Sequence, residues 1–413
     1  MSAVCSPLVS APAQATAALM PLGPRPGHVF VRGSGSWLWD DQDRRFLDLV
    51  QGWAVNALGH APPALAQAIG RQAGQLLQAG PGFHNAAAAA LATRLAELSG
   101  LDRVFIGSSG AEANEAAVKL ARKWGRQHRG GAANVISFGQ SFHGRTLAMM
   151  AASGKPGFDA IFPPAVPGFV KCPYNDLAAV QAAIDGQTVA VMLELVQGEA
   201  GVIEARPEFV SGLRALCDTR GLLLIIDEVQ TGIGRCGTLF AHTQWGIKPD
   251  ILTLGKGLGG GVPVSAMLAA EAVCSFAPGD QGGTYHGNAL ASAAALAVLD
   301  EVAAPAFLAG VRQQGQQLAE GLAWLSSRHR LGPAATAVQG RGLLRALALP
   351  PSLPSALLAD AARELPGDCG LLVNPAQPGR LRLMPALNIG AAEVDQALAL
   401  LDQALQQVHA PVN

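Results

Sequence analysis

Between residues 30 and 50 apolar and polar residues alternate around turn signals, as in Val29-Phe30-Val31-Arg32-Gly33 and Trp37-Leu38-Trp39-Asp40. A period of two predicts short strands there, in an antiparallel edge. Residues 62–80 and 85–99 are rich in Ala, Leu and Gln and predict helices, with a Gly-Pro break at 80–82. From residue 103 short apolar runs alternate with amphipathic stretches. Arg103–Ile106 leads into a helix over 111–128, then come the runs Val135–Phe138, Val189–Val196, Leu222–Ile226 and Ile251–Leu254. Fully apolar strands separated by helices predict a mostly parallel sheet covered on both faces, an α/β fold. Helices dominate 288–330. Strand signals at Gly342–Leu349 and Leu381–Met384 and a closing helix over 391–408 predict a smaller α+β unit, completed by the N-terminal segment.

Composition narrows the class. Of 413 residues 50% are hydrophobic and 14% charged, enough to bury a large core in two or three units and too apolar for a disordered chain. The net charge of -1 gives no electrostatic draw toward nucleic acid or an anionic membrane; small molecules and another subunit are the expected partners. Cys5, Cys172, Cys217, Cys236, Cys274 and Cys369 are scattered, with no CxxC pair and no adjoining histidine cluster. That argues against a disulfide framework or a metal site and suits reduced thiols in a cytoplasmic protein. Residues 1–26 hold no positive charge before Arg25 and read as a mobile tail rather than a secretory signal, and no apolar run is long enough for a membrane span. The expected organisation is a flexible tail (1–27), a segment contributing to a small domain (28–75), a large domain (76–300) and a C-terminal small domain (301–413).

Ligands of an open α/β sheet bind beyond the carboxyl ends of its strands, so the residues after each apolar run are the candidates. After Arg103–Ile106, the small residues Gly107-Ser108-Ser109-Gly110-Ala111 turn the chain into a helix whose free N–H groups suit a phosphate. An ordinary serine-capped helix is the competing reading. After Leu222–Ile226 come Asp227-Glu228-Val229-Gln230-Thr231. An acid beside a buried sheet is costly unless paired with a cation, which could be a protonated ring nitrogen or a structural partner. After Ile251–Leu254 come Gly255-Lys256-Gly257-Leu258-Gly259-Gly260-Gly261. A lysine there could form a Schiff base with an aldehyde cofactor; the alternatives are a phosphate-binding or solvated lysine. Gly232-Ile233-Gly234-Arg235-Cys236-Gly237 matches G-x-G-x-x-G, but five residues separate it from its strand and no clear helix follows, so it reads as a loop rather than a dinucleotide fingerprint. Gly255-Lys256 lacks the flanking residues of a nucleotide-triphosphate loop.

With Ser141-Phe142-His143-Gly144-Arg145-Thr146 between the first two, these stretches stand in the order and spacing of the class III aminotransferases. The chain resembles that family from about residue 28 to its C-terminus, and Gly52–His60 and Gly282–Tyr285 add to the likeness. The resemblance implies the fold-type I architecture, a homodimer with active sites at the interface, and pyridoxal 5'-phosphate as cofactor. It implies that Lys256 binds the cofactor covalently, Asp227 pairs with its pyridinium nitrogen, Gln230 contacts its ring hydroxyl oxygen, and Val229 also touches it. Phe142 would stack on the ring; Ser109, Gly110 and Ala111 would hold the phosphate, and Thr284 would reach it from the neighbouring subunit. Arg145 and Arg382 match positions that bind substrate carboxylates, Glu199 matches a carboxylate that pairs with the second arginine, and Gly283 lies at the substrate side. The implied reaction moves the terminal amine of N2-acetyl-L-ornithine to 2-oxoglutarate, in arginine biosynthesis. Succinylornithine, succinyl-diaminopimelate, ornithine and 4-aminobutyrate are alternative donors. Leu195 in place of a usual proline, Gly283 in place of serine, His286, and Gln78–Gly82 in place of a histidine-containing stretch depart from the pattern and bear on substrate preference.

The residue types suit this chemistry on physical grounds. A fixed carboxylate keeps a ring nitrogen protonated and the ring electron-poor. A lysine amine can move a proton between carbons. Arginine forks match carboxylates in two-point geometry. His60, His84, His143 and His286 are isolated and read as structural histidines, His143 having the better claim to a place near the cofactor. Trp37, Trp39 and Trp53 read as core or interface aromatics. A nucleotide-binding oxidoreductase and a catalytically silent relative are the rival readings.

Overall fold

The five apolar runs become strands of one seven-stranded sheet in a computed structural model that describes residues 18–23 and 25–409. Its strands are β1 (Arg103–Gly107), β2 (Asn134–Phe138), β3 (Phe169–Cys172), β4 (Thr188–Leu193), β5 (Leu223–Asp227), β6 (Ile251–Leu254) and β7 (Ser265–Ala269), in the order β1-β7-β6-β5-β4-β2-β3. The pairings β6-β5, β5-β4, β4-β2 and β2-β3 are parallel. β7 runs antiparallel between β6 and β1. Apolar residues on both faces explain the continuous runs. Along β5, Leu224 and Ile226 join one hydrophobic cluster, and Leu223 and Ile225 join the other.

Three sequence expectations need correction. The helix expected over 62–80 is α1 (Pro63–Ala73). It stops at Gly74, and Leu76 and Leu77 beyond it are exposed, so no apolar face remains to hold further turns. The Val189–Val196 run ends as a strand at Leu193, and Val196–Gln197 forms a separate short pairing with Ile203–Glu204. The Gly342–Leu349 signal belongs to a hairpin of Val338–Arg341 and Leu344–Ala348, with Gly342 at φ 52° between them. The helix expected after β1 is α3 (Gly110–His128), preceded by α2 (Ala86–Ser99). The helical region 288–330 divides into α4 (Ala289–Val302) and α5 (Pro305–Arg328), which meet at 73° where Pro305 opens the second helix. The closing helix is α6 (Ala391–His409).

Two further sheets have four strands each. In the first, Phe30–Ser34, Trp37–Asp40 and Arg45–Asp48 form an antiparallel meander, and the last strand pairs in parallel with Cys369–Leu372. The second combines the hairpin with Arg380–Leu383 and Asn374–Gln377. Residues 1–17 of the expected tail, with Cys5, lie outside the described residues. The other cysteines are free thiols. Among the described residues no single helix is long and apolar enough to cross a membrane, and no cluster of potential metal ligands occurs.

Candidate active site

The carboxyl ends of β5 and β6 open on a cavity of about 230 Å³ lined by residues of four separate stretches: Gly110, Ala111 and Asn114; Phe142, His143 and Gly144; Asp227, Val229 and Gln230; and Lys256, with Glu194 completing the wall.

Asp227 ends β5 and is buried, so its charge needs donors. Oδ1 accepts from the Val229 backbone N–H at 2.9 Å, and Oδ2 accepts from Asn114 Nδ2 and from His143 Nδ1, both at 2.8 Å. With Asp227 ionised, the His143 proton sits on Nδ1. Asn114 Nδ2 also donates to the His143 carbonyl at 2.8 Å, and its Oδ1 accepts from Thr253 Oγ1 at 2.7 Å. One amide therefore ties α3, β5, β6 and the 141–146 loop together. His143 Nε2 and Gln230 Nε2 are buried without a protein partner.

Lys256 follows β6 with φ 42°, a left-handed conformation that costs energy in a residue with a Cβ. Burial, and then the Arg382 charge, lower its pKa to about 8 against the opposing pull of Glu199, Glu194 and Asp227. Glu194 is shifted the other way: burial, then repulsion by Asp227, raises its pKa, while the Phe142 N–H donates to Oε2 at 2.9 Å.

At the cavity edge, α3 begins after the N-cap Ser109, whose Oγ accepts from the Glu112 N–H at 3.3 Å. The N–H groups of a first helical turn have no partner inside the helix. Gly110 is required by space: a Cβ there would lie 2.6 Å from Val229 Cγ1.

A second charged group adjoins the cavity. Arg382, fully buried, donates from Nη2 to Glu199 Oε1 at 2.8 Å, from Nη1 to Gln230 Oε1 at 3.2 Å and from Nε to Asn374 Oδ1 at 3.0 Å. The other Glu199 oxygen, Oε2, lies 3.5 Å from Lys155 Nζ. Burial raises the Glu199 pKa, but Arg382, Lys256 and Lys155 outweigh it, so the net shift is downward. Arg145 is exposed, its guanidinium carbon 6.0 Å from the Phe142 ring centroid.

Gly283 and Thr284 do not line this cavity. The Thr284 carbonyl accepts from Gln78 Nε2 at 2.6 Å, and Gly283 borders a separate groove with Phe83, His84 and His286. A Cβ on Gly283 would lie 2.7 Å from the His286 ring, so the two departures from the family pattern at 283 and 286 accompany each other sterically. His60 is structural, 2.8 Å from Asp48.

Sequence reasoning assigned no role to Asn114, Thr253, Glu194 or Lys155. Asn114 had a signal: it is a polar residue among the buried positions of α3. Lys155 had none, because its proximity to Glu199 arises only in the fold.

Residues 23–405 match the family described as Aminotransferase class-III. The acetylornithine aminotransferase 2 of Bordetella bronchiseptica is 53% identical over 391 residues, covering 95% of this chain and 97% of the relative. The acetylornithine aminotransferase of Ralstonia nicotianae is 51% identical over 93% of this chain and 96% of its own length. Among solved structures, N-acetylornithine aminotransferase from Stenotrophomonas maltophilia superposes with a TM-score of 0.81 at 37% identity, covering 94% of this chain and 97% of that one. Ornithine aminotransferase from Toxoplasma gondii gives 0.90 at 29% identity, over 96% and 94%. A match over nearly the whole length, with relatives above half identity, means that the chain belongs to the class III aminotransferases.

Proposed function

We propose that the protein transfers the terminal amine of N2-acetyl-L-ornithine to 2-oxoglutarate, giving N-acetylglutamate 5-semialdehyde and L-glutamate, with pyridoxal 5'-phosphate bound at Lys256. One observation carries the reading: Lys256 and a triply hydrogen-bonded buried carboxylate face one cavity beside a helix N-terminus. The names of the relatives support the choice of donor. The residues fit this cofactor. Asp227 offers an anion for a ring nitrogen, Phe142 a ring face, and Val229 and Gln230 a wall in which one buried donor lacks a partner. Ser109, Gly110 and Ala111 offer the start of α3 to the phosphate.

When bound, the cofactor supplies an electron sink for the carbon that bears the amine. Asp227 would pair with the ring nitrogen and favour its protonated form, and Asn114 and His143 hold the Asp227 carboxylate in place. Lys256 Nζ, with its basicity lowered by burial, takes the proton from the amine-bearing carbon of the substrate. Arg145 holds the distant α-carboxylate of the acylated donor, whose own α-amine is blocked as an amide. Arg382 holds the carboxylate that 2-oxoglutarate presents near the ring, and Glu199 covers Arg382 when the donor brings no carboxylate there. In a cytoplasmic homodimer, Thr284 reaches the phosphate of the neighbouring site, with Gly283 beside the substrate.

Purified protein is expected to show a visible cofactor absorbance band that Lys256→Ala abolishes, and to turn over N-acetylornithine with 2-oxoglutarate faster than succinylornithine, ornithine or 4-aminobutyrate. A band that survives Lys256→Ala, or no transfer from any of these donors, refutes the reading. Glu199→Gln is expected to change the ratio of the two half-reaction rates; an unchanged ratio removes Glu199 from the account.

A further inference from the structure

We propose that Lys155 is the positioning residue that receives the Glu199 carboxylate when a keto-acid carboxylate takes Arg382. The inference rests on the alternation of Arg382 partners described above and adds what that alternation lacks, a second resting place for the displaced charge.

Displacing Glu199 from Arg382 leaves an anion in a partly buried position, 24% exposed at its side chain. An unpaired carboxylate there is unfavourable, and without a new partner it would resist displacement. Lys155 Nζ already stands 3.5 Å from Oε2, while Arg382 Nη2 holds Oε1 at 2.8 Å. Glu199 thus bridges a tight cation and a loose one, and a small rotation of its side chain exchanges them. The backbone need not move: the Glu199 carbonyl is pinned by Gln377 Nε2 at 2.8 Å. The lysine can follow, because its side chain is 35% exposed and lies on the segment after the helix Leu147–Ala152. Its ammonium also stands over the rings of Phe142 at 5.8 Å and Phe158 at 5.6 Å, contacts that favour a cation without fixing its direction. The remaining charged groups around Glu199 cannot serve. Lys256 is engaged in proton transfer, and Glu194 repels a like charge when ionised.

The test compares Lys155→Met, Lys155→Arg, Glu199→Gln and the double variant Lys155→Met/Glu199→Gln in the cofactor-loaded enzyme. Lys155→Met is expected to raise the KM for 2-oxoglutarate, and its calorimetric Kd, roughly three- to tenfold, with a smaller change in the KM for N-acetylornithine. Lys155→Arg is expected to restore both values. In the Glu199→Gln background the Lys155→Met effect is expected to vanish, because no anion needs a resting place. If the effect persists there, Lys155 binds substrate directly and the inference is wrong. Equal changes in both KM values also overturn it. A null result for Glu199→Gln alone defeats the underlying alternation, whereas a clear Glu199→Gln effect with a silent Lys155→Met defeats only the role of Lys155.

Discussion

Lys256 holds its amine where water is scarce and the Arg382 guanidinium is near, and both lower its pKa, to about 8. An unfolded lysine titrates near ~10.4. Below pH 8 both states bind the proton and the folded state bears the whole cost of confining the charge. Between these two values the unfolded chain holds more protons, so this group makes stability rise with pH, and above both the cost is gone. Lys256→Met removes the charge and keeps the stem. In cofactor-free protein it is expected to melt higher than wild type at pH 7, by on the order of 2–5 °C, with the gap closing as pH approaches about 10. Thermal scans of both apoproteins at the two pH values check this, and a lower melting point for the variant at pH 7 contradicts it. Such a gain would mark the residue as one held against stability for the sake of reactivity.

At the scale of the element, α3 does two things at once: its first turn borders the cavity, and one turn later Asn114 fixes Asp227. Asn114→Leu keeps the approximate volume but leaves the Thr253 hydroxyl without its acceptor and Asp227 Oδ2 with a single donor. We expect a stability loss of about 1–3 kcal/mol by denaturant titration, together with weaker binding of pyridoxal phosphate. Unchanged cofactor affinity would show that His143 and the Val229 N–H suffice for Asp227. The helix was legible in the sequence because small residues announced its start and apolar residues recur along one stripe. The buried strands were legible because both of their faces are covered, which makes each a continuous apolar run. β7, Ser-Ala-Met-Leu-Ala, was missed because small residues do not announce a strand, and β3 because Lys171 interrupts its apolar pattern. In the fold Lys171 lies against Ser137 Oγ at 2.9 Å and the carbonyls of Ala151 and Ala152, so the apparent break is satisfied. The candidate site was legible wherever a motif sits at a strand end. Contacts between distant segments, such as Lys155 with Glu199 or Thr253 with Asn114, leave no local pattern to read.

For the whole molecule, two facts need one explanation. Gly283 and Thr284 stand apart from the Lys256 cavity of their own chain, and the segments around them expose Leu77, Phe83 and Tyr285, at 54%, 77% and 67%. These segments are joined, since Gln78 donates to the Thr284 carbonyl and the 80–85 and 281–287 stretches wall a common groove. Large apolar side chains are costly to leave in water, and clustered ones mark a surface that another surface covers. If a second copy covers this one and lends Thr284 to the first copy's cavity, assembly and cofactor binding are linked, since whatever binds only the dimer also stabilises it. Light scattering is expected to give twice the 42.3 kDa mass of one chain. Phe83→Glu combined with Tyr285→Glu places like charges at the contact; it is expected to yield a monomer with an unchanged far-ultraviolet spectrum and cofactor affinity weakened by roughly tenfold or more, about 1.4 kcal/mol for each factor of ten. A monomer that binds cofactor as tightly as wild type would mean that each chain completes its own site, and Thr284 would lose its assigned role.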